Sequence, residues 1–362
     1  MNAHARMMYL PDTMTNWPWP RAINPHFEDV KAEVDASFRD FKALSPESQE
    51  AFDKCDFEHL RIGSELMNVY FIVDEFTDSE NAAGTKAMVD IVLDALDNPH
   101  KARPQGECIL GEISRQFWAR AIQTASLPSQ RHFLDSYTAY LRAVVVEAVD
   151  REQSRRRSID DYLKLRRDTC GAKSAFAVYE MGMELPDEVF YHPVIVELVD
   201  CIIELILIDN DMLSYNREQA TGDENHNLVS AIMLELSLDR GGAMAWAARY
   251  HTDVEKKFID GRSKVPSWGA STDALVKEYF DGIATWARAN CCWSFEAQRY
   301  FGTMGPEIQQ TRLVPVLPKV NYKDTSVVAQ VNVTDLSKID ATVHREQPSG
   351  GLECLILWPQ VM

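Results

Sequence analysis

Apolar residues recur at three- and four-residue steps along most of the chain. Phe133, Tyr137, Tyr140, Leu141, Val144 and Val145 form one such run, and Leu228, Ile232, Leu236 and Ala243 to Trp246 form another. This is helical period, not the alternation of a strand. Proline is absent from Ser129 to Leu185, from Val194 to Val265 and from Ser267 to Gly305, which leaves room for long helices. Strand-like alternation is scarce before residue 320. The pattern predicts an all-α body of about ten to twelve helices. Ser129, Asp187, Asp223 and Thr272 are residue types suited to N-caps and mark the expected helix starts.

The two ends read differently. Leu10 to Phe27 is rich in proline and tryptophan (Pro11, Trp17, Pro18, Trp19, Pro20, Pro25). It is too apolar for a free tail, so an N-terminal strap over residues 1–27 is expected to lie across the helices. After Pro318 the valines at 327, 328, 331 and 333 point to strand or disorder. The reading is one domain over residues 1–318 and an atypical tail over 319–362.

Composition narrows the function. The chain has 362 residues, 46% of them hydrophobic, with 37 Lys+Arg against 55 Asp+Glu, a net charge of −18. Such an apolar chain is not disordered, and its acidity argues against nucleic acid as a partner. No apolar run reaches the ~18 residues of a membrane span; Val194 to Ile208 is broken by Glu197, Asp200 and Glu204. Seven cysteines without zinc spacing, and no signal pattern, lead to the expectation of a cytoplasmic, reduced protein.

Three constellations carry candidate chemistry. Asp74 and Asp78 close the apolar run Leu66 to Val73, and residues four apart share one helix face. Buried carboxylates there would call for hard divalent cations such as Mg²⁺; the competing reading is a helix end turning into solvent. Asn210, Ser214 and Glu218 close a second apolar run, placing an amide oxygen, a hydroxyl and a carboxylate along one stripe. An exposed polar stripe is the competing reading there. Arg166, Arg167, Arg217 and Arg299-Tyr300 are candidate phosphate partners. Arg151, Arg155, Arg156 and Arg157 read instead as ion-pair partners of nearby acids on a solvated helix face. Together, the two oxygen-rich walls suggest a deep apolar cavity with cations and arginines at its mouth. Such a site suits a greasy substrate with a polyphosphate head, its carbocation held against aromatics such as Phe71 and Trp293.

These motifs resemble class I terpene synthases. Asp74-Glu75-x-x-Asp78, Asn210-Asp-x-x-Ser214-x-x-Arg217-Glu218, Arg166-Arg167-x-Thr169-x-Gly171 and Arg299-Tyr300 fit that family in order and spacing. Leu10 to Thr13, Asn16 to Arg21, Asn24 to His26, Asn98 to Lys101, Arg115 to Trp118 and Ser214 to Gln219 resemble basidiomycete sesquiterpene synthases, among them the Δ6-protoilludene synthases. The resemblance covers Tyr9 to Pro318. It implies a helical bundle around a deep apolar cavity, and a monomer or homodimer that ionises farnesyl diphosphate and cyclises the cation by 1,11-closure. It also implies Mg²⁺, about three ions bound with the diphosphate, held by Asp74 and Asp78 on one wall and by Asn210, Ser214 and Glu218 on the other. Arg167 (or Arg166), Arg217, Arg299 and Tyr300 would grip the diphosphate, and Phe71 and Trp293 would shape the cavity.

Two departures bear on activity. In the family a longer stretch separates the segments resembling Phe52 to Phe57 and Leu60-Arg61, where here only Glu58 and His59 intervene. The tail after Lys319 has no counterpart. A shortened entry to the Asp-rich wall leads to an expectation of weak or absent turnover unless neighbouring helices compensate. A product of 1,10-closure and a non-catalytic homologue or scaffold are the alternatives. A chain-elongating prenyltransferase would normally carry two Asp-rich motifs, and here the second wall reads Asn, Ser and Glu.

Overall fold

A computed structural model describes residues 7–21, 61–78, 80–181, 183 and 185–319. The junction at Glu58 and His59, and the tail beyond Lys319, lie outside the described residues. The described chain is all-α apart from two three-residue strands. In order come β1 (Met7–Tyr9), α1 (Arg61–Asp78), α2 (Ala82–Asp97), α3 (Ile109–Ala121), α4 (Leu127–Glu152), α5 (Ile159–Thr169), α6 (Ala172–Glu180), α7 (Asp187–Phe190), α8 (Pro193–Thr221), α9 (Leu228–Glu235), α10 (Arg240–Gly261), α11 (Ala270–Glu296), α12 (Gly305–Thr311) and β2 (Leu313–Pro315). No described helix is long and apolar enough to cross a membrane.

α8 is the spine. It buries Cys201 to Asp209 without interruption and packs most extensively against α10 and α11. A helix apolar all round belongs in a core. Proline in its first turn costs nothing there, because that N–H has no intrahelical partner, and the His192 Nδ1 accepts from the Val194 N–H at 3.3 Å. The helix stops at Gly222, whose φ of +94° suits glycine alone, with its N–H returned to the Glu218 carbonyl at 2.8 Å. The ends of α1 and α8, where their polar residues cluster, open onto one cavity.

Several helix starts differ from expectation. α4 begins before Ser129, at Leu127, because Ser126 caps the Ser129 N–H and Pro128 sits harmlessly in the first turn. Asp187 opens only the single turn α7. Asp223 precedes a 3₁₀ turn, and Asn227 caps α9 by accepting from the Val229 N–H. α11 starts at Ala270 after Gly269, ahead of Thr272. β1 and β2 pair antiparallel, Met8 opposite Val314; three residues are too few to show alternation in sequence.

Residues 10–21 cross the outside of α11. Leu10, Met14 and Trp17 are buried. The Trp17 Nε1 donates to the Ala284 carbonyl at 2.9 Å and the Trp19 Nε1 to Asp281 at 3.1 Å. The Arg288 guanidinium donates to the carbonyls of Met14, Trp17 and Trp19.

Candidate active site

The α1 wall follows from its register. Leu66, Met67, Val69, Tyr70, Ile72 and Val73 are buried, and the next turns place Asp74 and Asp78 on the cavity. Asp74 is open to the cavity space yet enclosed by protein, and burial, reinforced by Asp78, raises its carboxyl to about 7, with Arg299 opposing. The Tyr140 hydroxyl donates to Asp74 Oδ1 at 3.2 Å. Asp78 is raised too, by burial first, with Arg151 opposing. Arg151 lies 3.5 Å from Asp78 and donates to the Thr77 carbonyl at 3.0 Å.

The α8 wall carries Asn210, Ser214 and Glu218 in one stripe. The Asn210 Oδ1 accepts from Arg166 at 2.9 Å, and its Nδ2 donates to the Tyr300 hydroxyl at 2.9 Å. Ser214 is fully buried and does not itself line the cavity. The Asn227 Nδ2 donates to Glu218 Oε2 at 2.9 Å. Burial, and after it the neighbouring Asp211 carboxylate, lifts Glu218 to about 7 against the hydrogen bonds of Ser214 and Asn227.

The arginines separate cleanly. Arg166 lines the cavity and also reaches Asp211 at 3.3 Å, a buried carboxylate held by the Tyr162 hydroxyl and the Leu228 N–H. Arg167 does not join it. Successive helical residues point about 100° apart, and Arg167 pairs with Glu204, whose other oxygen accepts from Tyr250 at 2.8 Å. It lines a separate surface cleft with Glu197, Asp200 and Lys257. Arg217, Arg299 and Tyr300 line the cavity. So do Phe71, 5.8 Å from the Arg299 guanidinium, and Trp293, whose ring meets Tyr300 edge-on at 5.9 Å. Met67, Val144, Ile206 and Leu207 complete an apolar lining, and the cavity volume is about 580 Å³.

The sequence reading missed part of this wall. Tyr140, Val144, Glu147 and Arg151 occupy one stripe of α4 and all line the cavity. Continuing the apolar period from Tyr140 by three- and four-residue steps would have led to them. The arginines do pair with nearby acids, Arg151 with Asp78 and Arg157 with the buried Asp150, but Arg151 does so facing the cavity and not solvent. Arg155 is exposed at the cavity mouth, and only Arg156 is simply exposed.

The donor set is entirely oxygen: carboxylates, an amide and a hydroxyl, the ligands of a hard divalent cation. Asp74 and Glu218 are acids that burial holds away from bulk water, which raises both carboxyls. A divalent cation fits that setting. Among the described residues no three His, Cys, Asp or Glu side chains converge as a preformed metal cluster, so such a cation would also need oxygens from its anionic ligand.

Comparison with known proteins defines the class. Residues 65–257 match the family described as terpene synthase family 2, C-terminal metal binding. The chain is 52% identical to sesquiterpene synthase 14 of Postia placenta, over 92% of this chain and 99% of that protein. It is also 52% identical to Delta(6)-protoilludene synthase 18 of the same fungus, over 91% and 98%. Among solved structures a cucumene synthase variant shares the fold, with a TM-score of 0.67 and 22% identity over 77% of this chain and 99% of that one. The chain belongs to the terpene synthase family. The first alignment spans 347 positions while covering 92% of 362 residues, about 333, so about 14 positions have no residue of this chain opposite them. The stretch expected to be missing beside Glu58 lies outside the described residues.

Proposed function

We propose that this chain is a sesquiterpene synthase that ionises farnesyl diphosphate and cyclises the cation by 1,11-closure towards Δ6-protoilludene, releasing diphosphate. One observation carries the reading. Asp74 and Asp78 share one cavity with Asn210 and Glu218, Arg166, Arg217, Arg299 and Tyr300 line the same space, and Met67, Val144, Ile206 and Leu207 give it an apolar part. The names of the relatives extend it to the product class and the product.

Asp74 and Asp78 would hold Mg²⁺ on one wall, and Asn210, Ser214 and Glu218 on the other, about three ions in all shared with the diphosphate. Mg²⁺ supplies charge neutralisation of the departing diphosphate. Arg166, Arg217 and Arg299 bind its oxygens by charge-assisted hydrogen bonds, with the Tyr300 hydroxyl as a further donor. Arg166 takes this role rather than Arg167, whose guanidinium is turned to Glu204. Met67, Val144, Ile206 and Leu207 exclude water from the cation, and Phe71 and Trp293 present ring faces to it. The enzyme would act in the cytoplasm as a monomer or homodimer.

A second reading rests on the shortfall of about 14 aligned positions: a helical homologue with weak or no turnover. Purified protein incubated with farnesyl diphosphate and Mg²⁺, its extract resolved by gas chromatography, separates the cases. Full turnover to a cyclic hydrocarbon removes the second reading. A 1,10-derived product overturns only the cyclisation mode. No product, together with no thermal stabilisation by Mg²⁺ plus pyrophosphate, overturns the first reading.

A further inference from the structure

The side of α8 turned away from the cavity carries buried polar groups that the proposed chemistry does not use. Asn216 is 2% exposed and Gln219 9%. Asn216 reads the backbone after α12 as a neighbouring strand would. Its Nδ2 donates to the Pro315 carbonyl at 3.0 Å, and its Oδ1 accepts from the Leu317 N–H at 3.0 Å. The Gln219 Nε2 donates to the Leu317 carbonyl at 2.9 Å and to Asn216's own carbonyl at 3.0 Å. Residues 313–317 are themselves held. β2 pairs with β1, the Leu10 N–H donates to the Arg312 carbonyl at 2.8 Å, and Arg312 meets Asp12 at 2.9 Å. One turn further into the strap, the Thr13 hydroxyl donates to Asp209 at 2.6 Å.

The two terminal segments therefore form one clasp that touches α8 at Asp209, Asn216 and Gln219. Each of these is the immediate neighbour of a cavity-lining residue: Asn210, Arg217 and Glu218 respectively. Helix ends fray unless tertiary contacts hold them. A small rotation of this end would carry Arg217 and Glu218 out of register with α1. A buried amide cannot forgo its partners without a large penalty, so the rotation is resisted from behind.

We propose that Asn216 is a positioning residue: with Gln219 it locks residues 315–317 to the back of α8 and so fixes the angle at which Arg217 and Glu218 face the cavity. This rests on the reading of Asn210, Ser214 and Glu218 as a cation-binding wall. The test is the Mg²⁺ concentration that gives half-maximal thermal stabilisation at saturating pyrophosphate, in the full chain and in Asn216→Asp. That substitution keeps the acceptor for Leu317 and removes the donor to Pro315. The midpoint should rise about tenfold, the loss of one buried hydrogen bond converted at about 1.4 kcal/mol per tenfold; the ligand-free melting temperature should fall as well, so the midpoint is the readout that a merely structural role would leave unmoved. An unchanged midpoint, or a lowered melting temperature alone, overturns the proposal. Should that variant fail to fold, Gln219→Met carries the same expectation. Independently, amide exchange in the unaltered chain should slow at Leu313 to Leu317 when Mg²⁺ and pyrophosphate are added, and unaltered exchange there overturns the proposal. An unaltered chain that does not respond to Mg²⁺ and pyrophosphate at all defeats the cation-wall reading itself, and is distinguishable from both.

Discussion

The Tyr140 hydroxyl donates to Asp74 Oδ1 at 3.2 Å, joining the middle of α4 to the end of α1. The bond favours the charged carboxylate, whereas burial and Asp78 oppose it, and the balance leaves Asp74 at about 7. Glu218 on the opposite wall stands at about 7 for the same leading reason.

A pH dependence follows. Both carboxyls titrate higher folded than in the unfolded chain, where they lie near 4. Their contribution to ligand-free stability is therefore complete below about pH 4 and lost as pH rises through about 7. Cation binding needs the ionised form and runs the other way. Thermal stabilisation by Mg²⁺ plus pyrophosphate should grow between about pH 6 and 8. In Tyr140→Phe its midpoint should move to higher pH, because a bond to the ionised form is gone; differential scanning fluorimetry across a pH series measures both.

Arg166 and Arg167 should respond differently. Arg166→Lys keeps a charge beside Asp211 but loses the fork that reaches Asn210, and kcat/KM for farnesyl diphosphate should fall roughly 10- to 100-fold, the range for a hydrogen bond to a charged group. Arg167→Ala should leave kcat/KM within about threefold and act on stability, because it leaves Glu204 without its guanidinium. Steady-state kinetics of the two variants decides the assignment.

Gly171 joins α5 to α6 at φ +72°, and a Cβ there would stand 3.2 Å from the Tyr70 ring. The Tyr70 hydroxyl donates to the Gly171 carbonyl at 2.9 Å. Gly171→Ala should cost about 1–2 kcal/mol for the left-handed backbone alone, plus whatever the ring must yield. Urea unfolding would show the loss, and an unchanged midpoint would refute the strain.

Trp17 is 3% exposed in the strap. Trp17→Ala should lower stability by about 3–5 kcal/mol, as for other buried aromatics cut to alanine, and free the strap to limited proteolysis. Resistance equal to that of the unaltered chain would contradict a docked strap.

Much of this was legible in the chain itself. Asp74 and Asp78 belong to one face because four residues nearly complete a helical turn, and the same arithmetic orders Asn210, Ser214 and Glu218. Arithmetic of that kind cannot choose between adjacent residues. Arg166 and Arg167 both precede the break at Gly171, and only the packing of α5 on α8 decides which faces inward. Arg151 pairs with an acid as its basic run suggests, but such a run looks alike whether that acid lies at the surface or, like Asp78, on a cavity. The cap is Ser126 and not Ser129, because Pro128 stands within the first turn of α4 and not at the end of the preceding loop. Asn216 and Gln219 give no local signal, since their partners lie about 100 residues further along the chain.

The Arg288 guanidinium grips carbonyls of the strap, not its side chains. Every residue type offers the same carbonyl, so drift in most strap positions leaves this grip intact. Mutational tolerance should accordingly be high at the exposed strap positions Thr15, Asn16, Pro18 and Pro20, and purifying selection should concentrate on Arg288, on Thr13, on the buried Leu10 and Met14 and on the two indoles that face α11.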